Sequence, residues 1–175
     1  MSGQAAAKTS SDVVSQEFTS VVPFTEEWGD TLVLYCTDPR YRRQTHEFLH
    51  HHLGLQNPAV ITIPGGVAPL LPLVGFAHKL AKGWLDLLFQ HHRPSRIVCV
   101  AHEDCAAYKV GKHQVINAVV QHLTGGTVHD LQRKHLHDAR ITLQTWFHGV
   151  IVEIYFAEVQ AGADGIRRVT FTKAA

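Results

Sequence analysis

Cys36, Asp38 and Arg40 follow one another at steps of two residues in the segment CTDPR, and His102 and Cys105 stand three apart in HEDC. Thiolate and imidazole are the donors a zinc ion selects, and a separation of three residues lets His102 and Cys105 reach one tetrahedral centre without strain. Two cysteines and one histidine with the fourth position open form a catalytic zinc arrangement. A carboxylate at Asp38 is placed to accept a hydrogen bond from a water on such a metal, and a guanidinium at Arg40 would keep that carboxylate ionised and oriented. Each residue also has a plainer reading. A cysteine at a strand end is usually packing, and Asp38-Pro39 is a helix start with Asp as N-cap and Pro at the first helical position. Arg40 reads equally as a solvated residue of the first turn, although a cation there opposes the helix dipole. Cys99, between Val98 and Val100, reads as core filler. HxxC alone is a weak pattern; weight comes from both partial motifs falling at the same edge of adjacent strands.

Those strands are short apolar runs: Thr31 to Cys36 (TLVLYC), Ala59 to Ile63 (AVITI) and Arg96 to Ala101 (RIVCVA). Helical spacing covers Pro39 to Leu53 and roughly Leu70 to Gln90, where Leu73, Phe76, Leu80, Trp84, Leu87 and Leu88 fall near one face. Continuously apolar strands alternating with helices are the signature of a parallel sheet covered on both faces. The fold class is therefore α/β, three layers around a mostly parallel central sheet. Right-handed crossovers allow the order 2-1-3 for the first three strands, so the helices after the first and third lie on opposite faces and leave a crevice at the carboxyl ends. Cys36 closes the first strand and His102 follows the third, so topology delivers residues about 66 positions apart to one crevice. Gln114 to Leu123 and Leu131 to Leu143 are further helical candidates. Val150 to Val159 reads as a strand, and Ile166 to Thr172 as an antiparallel edge strand added to the sheet.

The chain of 175 residues suits one domain with a proper core. Residues 1–24 read as a polar N-terminal arm and 25–175 as a single domain. Apolar residues at 45 % and charged residues at 18 % lie in the ordinary globular range. A formal charge of +1, with Lys and Arg scattered, offers no basic field for a nucleic acid. Neither a signal-type apolar segment nor a run of about 18 apolar residues is present, so no membrane association is expected and the cytoplasm is the natural compartment. Three cysteines do not make a disulfide framework. Fourteen histidines include His50-His51-His52, His91-His92 and the set His129, His135 and His137; consecutive side chains such as His50 to His52 fan apart on a helix, and all these clusters read as solvated surface.

Cys36-Thr-Asp38-Pro-Arg40 resembles the CxDxR motif of the β-class carbonic anhydrases, and His102-Glu-Asp-Cys105 resembles their HxxC motif, in the same order and strand contexts. AVITIPGGV is similar to the site of that family's Ala-Gly-rich turn, and RIVCVAHEDCAAY resembles a bacterial branch in particular. The resemblance runs from about Thr31 to Thr172. It implies a Zn2+ ion on Cys36, His102 and Cys105, an Asp38–Arg40 dyad serving the fourth position, and hydration of CO2 to bicarbonate by zinc-bound hydroxide, a lyase reaction. It also implies a homodimer or higher homo-oligomer with the arm embracing a partner, which gives Trp84 or Trp146 a place at an apolar interface. Three positions depart from the family pattern. Ala106 replaces the Gly after the second cysteine, Pro39 replaces a small serine in the dyad, and no substrate-facing Gln precedes the first motif, leaving Glu27 or Trp28 to shape that wall. Tyr108 reads as a half-buried aromatic with its hydroxyl at the surface. The alternatives with the same ligands are hydrolysis of COS or CS2, heavier linear analogues of CO2, and a non-catalytic zinc protein in which Asp38 takes the fourth position.

Overall fold

The computed structural model describes residues 18–72, 75–109 and 126–174. Strand β1 (Thr31–Cys36) sits inside the sheet because its side chains are apolar on both faces, and Leu32, Val33 and Leu34 are almost wholly inaccessible. It pairs in parallel with β2 (Ala59–Ile63) on one side and β3 (Arg96–His102) on the other. β3 pairs in parallel with β4 (Ile151–Ala161), and β5 (Arg167–Lys173) closes that side antiparallel to β4. The order is β2-β1-β3-β4-β5. The 2-1-3 core, the parallel ladders and the antiparallel edge are those expected from the pattern of apolar runs.

Helix α1 (Pro39–Glu47) follows β1 and runs into a π-helical turn, Phe48–His52. On this face Tyr41, Phe48, Leu49 and Leu55 pack on Val33, Val98, Val100 and Tyr155. On the other face lie α2 (Phe76–His92) and α3 (Val128–Trp146), which set Ala81, Leu85, Leu136, Ala139 and Leu143 against Leu32, Leu34, Ile97, Cys99 and Ile154. The helices following β1 and β3 thus flank opposite faces. Each fully buried Leu or Ile contributes about 1.5–3 kcal/mol relative to an exposed one, so the layers hold mainly through these side chains. Cys99 is buried in this core, and burial pushes its thiol up to about 12.

Three expectations need correction. α2 starts at Phe76 and not near Leu70, which closes a separate 3-10 turn, Ala68–Leu70; its apolar stripe does share a face, exposed at Phe76, Leu80, Trp84 and Leu87, while Leu88 packs on the core beside the buried Ala81 and Leu85. The third strand extends one residue further, to His102 itself. α3 begins at Val128, not Leu131, because Thr127 and Asp130 form a capping box that satisfies the first amides. Leu73, the helix expected over Gln114 to Leu123 and the first part of the arm lie outside the described residues. Among the described residues, no helix is long and apolar enough to cross a membrane.

Candidate metal centre

β1 ends at Cys36 and β3 at His102, so the side-by-side strands carry both residues to one rim of the sheet. The chain then turns through Glu103 and Asp104, whose backbone is left-handed (φ 56°), and brings Cys105 back beside them. Ligand atoms of Cys36, His102 and Cys105 all lie within 4.8 Å of one another, and all three residues are buried. Among the described residues this is the only such group of three or more histidine, cysteine or acidic side chains. His135, read with its cluster as solvated surface, is instead buried against the Tyr108 hydroxyl.

The donors suit a metal ion on three counts. The cysteines are free thiols with Sγ atoms 3.7 Å apart; a tetrahedral zinc with Zn–S near 2.3 Å would hold its sulfurs about 3.8 Å apart. His102 Nδ1 donates to the Glu103 carbonyl at 2.7 Å, which leaves Nε2 as the nitrogen free to ligate. That Nε2 is buried and has no hydrogen-bond partner. A buried polar nitrogen without a partner is costly, and a metal bond would remove the cost. Finally, backbone amides converge on both sulfurs, those of Asp38 and Gly65 on Cys36 and those of Ala107 and Tyr108 on Cys105. Such N–H donors stabilise thiolates. The Cys105 thiol, helped by these amides and opposed by burial, brings the Cys36 pKa down, while Cys36 pushes that of Cys105 up.

The turn Pro64-Gly65-Gly66 makes this close approach feasible. Gly66 has φ 60°, and a Cβ there would stand 3.3 Å from the Cys36 amide nitrogen and 3.4 Å from the Val100 carbonyl oxygen. Only glycine accepts both the left-handed backbone and that contact cheaply.

Asp38 serves as a helix cap and is also ion-paired with Arg40. It is the N-cap of α1, with Oδ1 accepting from the Arg40 amide at 3.0 Å. It also receives the Arg40 guanidinium, from Nε to Oδ1 at 3.0 Å and from Nη2 to Oδ2 at 2.6 Å. Arg40 holds the Asp38 carboxyl below the usual carboxylate range, against the opposing effect of burial. The same guanidinium donates from Nη1 to Asp104 Oδ2 at 2.9 Å and from Nη2 to the Asp104 carbonyl at 3.1 Å. Lys109 pairs with the other Asp104 oxygen. The dyad is therefore part of a chain Asp38, Arg40, Asp104, Lys109 that ties α1 to the turn between the candidate ligands. A cleft of about 670 Å³ opens over this chain, with Cys36, Cys105, Ala106 and Pro64 on its walls.

Asp104 was not singled out in the sequence, although its place inside HEDC is a usable signal. Trp28 does not shape a wall of this cleft. It lies 72 % exposed, with its ring centroid 3.9 Å from that of His92, and shares a separate groove with Glu27, Pro58 and Ala59 near the start of β2. Tyr108 is 4 % exposed and its hydroxyl lies 3.1 Å from His135 Nδ1, so the hydroxyl is not at the surface.

An α/β sheet with two cysteines and a histidine at its carboxyl rim is the class of protein that the fold and this cluster define. A profile of the family described as "Putative carbonic anhydrase" matches residues 28–164, and the chain belongs to that family. No curated protein matches the sequence. Among solved structures, the chain is similar to a carbonic anhydrase from Streptococcus mutans (15 % identity, 80 % of each chain covered, TM-score 0.47). It is also similar to a β-carbonic anhydrase from Trichomonas vaginalis (14 %, 87 % of each chain, 0.48) and to tetrameric β-carbonic anhydrases from Sordaria macrospora (16 %, 83 % of this chain and 82 % of that one, 0.48).

Proposed function

We propose that this chain binds one zinc ion through Cys36, His102 and Cys105 and interconverts CO2 and bicarbonate, with Asp38 and Arg40 as its catalytic pair. The observation that carries this reading is the buried, partnerless Nε2 of His102 standing among two amide-capped sulfurs. Zinc, when bound, supplies the reaction with a nucleophile near neutral pH by lowering the pKa of a water. The net change is CO2 plus water giving bicarbonate and a proton.

The chain's own residues then bind, orient and hold charge. Asp38, kept ionised by Arg40, presents an acceptor to the reacting water and so orients its lone pair towards CO2. The apolar wall at Pro64 and Ala106 suits a neutral linear molecule. Arg40 and Lys109, both more than half exposed, border the cleft and favour departure of the anionic product towards solvent. Asp38 stands outside the three-residue ligand group and is tied to Arg40, an arrangement that favours the catalytic reading over one in which Asp38 closes the site permanently.

The reading extends to assembly and location. The arm of residues 1–24 and the domain of residues 25–175 would pair with a second copy, since the exposed α2 stripe and the exposed Phe18, Val22 and Phe24 are apolar surfaces in want of cover. Three unpaired cysteines suit a reducing cytoplasm.

The decisive experiment is stopped-flow CO2 hydration at pH 7 and pH 8.5 on protein whose zinc content per chain is known by elemental analysis. Turnover with one zinc per chain supports the lyase. One zinc without turnover, tested also on COS and CS2, moves the assignment to those substrates or to a non-catalytic zinc protein.

A further inference from the structure

The peptide unit between His102 and Glu103 stands where the ladder runs out on one side. Its N–H donates to the Ala157 carbonyl of β4 at 3.0 Å. Its C=O points the opposite way, as the two groups of a trans peptide must, towards β1. Paired residues of β1 and β3 end at Tyr35 and Val100, so β1 offers the His102 carbonyl no partner. A buried carbonyl needs a donor, and α3 provides it. Gln132, 2 % exposed, donates from Nε2 to His102 O at 3.0 Å.

One turn further along α3, and on the same face, His135 Nδ1 lies 3.1 Å from the Tyr108 hydroxyl. Tyr108 belongs to the other end of the same turn: its amide donates to the Cys105 carbonyl at 3.1 Å and is one of those converging on Cys105 Sγ. Two adjacent polar side chains of one helix thus hold the two ends of the His102-to-Cys105 turn. Both are buried in a helix whose other buried side chains, Leu131, Leu136, Ala139 and Leu143, are apolar. Burying two polar groups there costs stability unless their bonds are specific.

We infer that Gln132 and His135 are positioning residues, an α3-borne clamp that fixes His102 and Cys105 in ligating geometry and thereby sets how long the metal stays bound. The inference rests on the zinc reading above. Neither side chain is required to touch the metal or the substrate; Gln132 acts through the His102 main chain and His135 through Tyr108. Partners at this remove from a metal typically change affinity by about 10- to 100-fold when lost.

The test follows zinc release into a chromogenic chelator from the zinc-loaded full-length protein, with cobalt-substituted protein giving a ligand-field spectrum as a second readout. Gln132→Met keeps the length of the side chain and removes the donor. Release at least about tenfold faster, with altered cobalt bands, is expected. Leu143→Ala, in the same helix but in the apolar core, is the control: it lowers thermal stability and leaves release within about twofold of the parent. Tyr108→Phe removes only the hydroxyl beside His135 and is expected to speed release as well. Should Gln132→Met fail to fold, Tyr108→Phe decides alone. Parent-like release in the folded variants, or equal acceleration by Leu143→Ala, overturns the clamp. A parent protein that takes up no zinc overturns the metal reading itself, and that result is visible before any variant is made.

Discussion

Asp38 Oδ1 receives both the main-chain amide and the side-chain Nε of Arg40, each at 3.0 Å. One oxygen therefore starts helix α1 and anchors the candidate dyad, and the two roles separate by choice of substitution. Asp38→Ala should cost about 1 kcal/mol of stability through the lost cap. Asp38→Asn, itself a good cap, should stay within about 0.5 kcal/mol of the parent. Both should retain stoichiometric zinc and lose CO2 hydration by about a hundredfold or more, since neither offers a carboxylate. Denaturant titration and stopped-flow assays on the same samples check this; full activity in Asp38→Ala would leave capping as its only role.

Cys36→Ser, His102→Ala and Cys105→Ser should each abolish stoichiometric zinc. Elemental analysis of the purified variants reads the result directly, and metal retained in all three would sink the ligand assignment.

Gly66→Ala forces a Cβ into the left-handed region and against the Cys36 amide and Val100 carbonyl. The left-handed penalty alone is about 1 kcal/mol, and relief of the contact must move the turn whose Gly65 amide caps Cys36. Loss of about 1–2 kcal/mol, together with weaker zinc retention, is expected. Urea midpoints and chelator competition measure the two effects separately.

Glu153 lies between strands as a small charge hub, accepting from Arg96 Nε at 2.8 Å, Tyr155 OH at 2.7 Å and Lys173 Nζ at 3.0 Å. Burial raises its pKa, but these donors together outweigh burial and bring it down to about 2, from 4.5. A group depressed on folding contributes stability that is complete above its unfolded pKa and is lost as pH falls through the folded value. The loss therefore falls between about pH 4.5 and pH 2, and amounts to about 2 kcal/mol after allowance for partial exposure of the partners. Glu153→Gln should flatten that acid limb; an unchanged slope between pH 5 and pH 3 would show that other carboxylates carry it.

Leu80 and Trp84 are 40 % and 49 % exposed on neighbouring turns of α2. If a second copy covers this stripe, Leu80→Glu with Trp84→Glu should shift sedimentation towards the monomer while leaving the far-ultraviolet spectrum unchanged. A species of the parent mass would remove α2 from the interface.

The strands were the most legible part of the fold. TLVLYC and RIVCVA are apolar on both faces because helices cover both sides of the sheet there, whereas AVITI, at the edge, alternates between half-buried and exposed residues; the order 2-1-3 followed from crossover handedness. The exposure of the α2 stripe was not legible, for a definite reason. Periodicity reports which residues share a face of a helix, and Phe76, Leu80, Trp84 and Leu87 do share one, but it does not report whether that face meets the sheet. The meeting of Cys36, His102 and Cys105 was legible because two short motifs fell at one rim. Gln132 was not: nothing at that position in the sequence signals that a carbonyl 30 residues earlier has outrun its ladder. Asp38 allowed two readings in the sequence because the geometry of a cap and that of an ion pair are both local to Asp-Pro-Arg; the structure accommodates both at once.

The separation of Cys36 from His102 also governs when the site comes into being. During synthesis the first thiol is made long before the imidazole, and no local segment holds both. The pair meets only after β2 and α2 have been traversed and β3 has docked on β1, a contact of high sequence separation that forms late. A nascent chain therefore has no template for an ion, and any metal would be captured by a nearly finished sheet. Once bound, it would act as a bolt across two strands, slowing their parting and doing little to hasten their meeting.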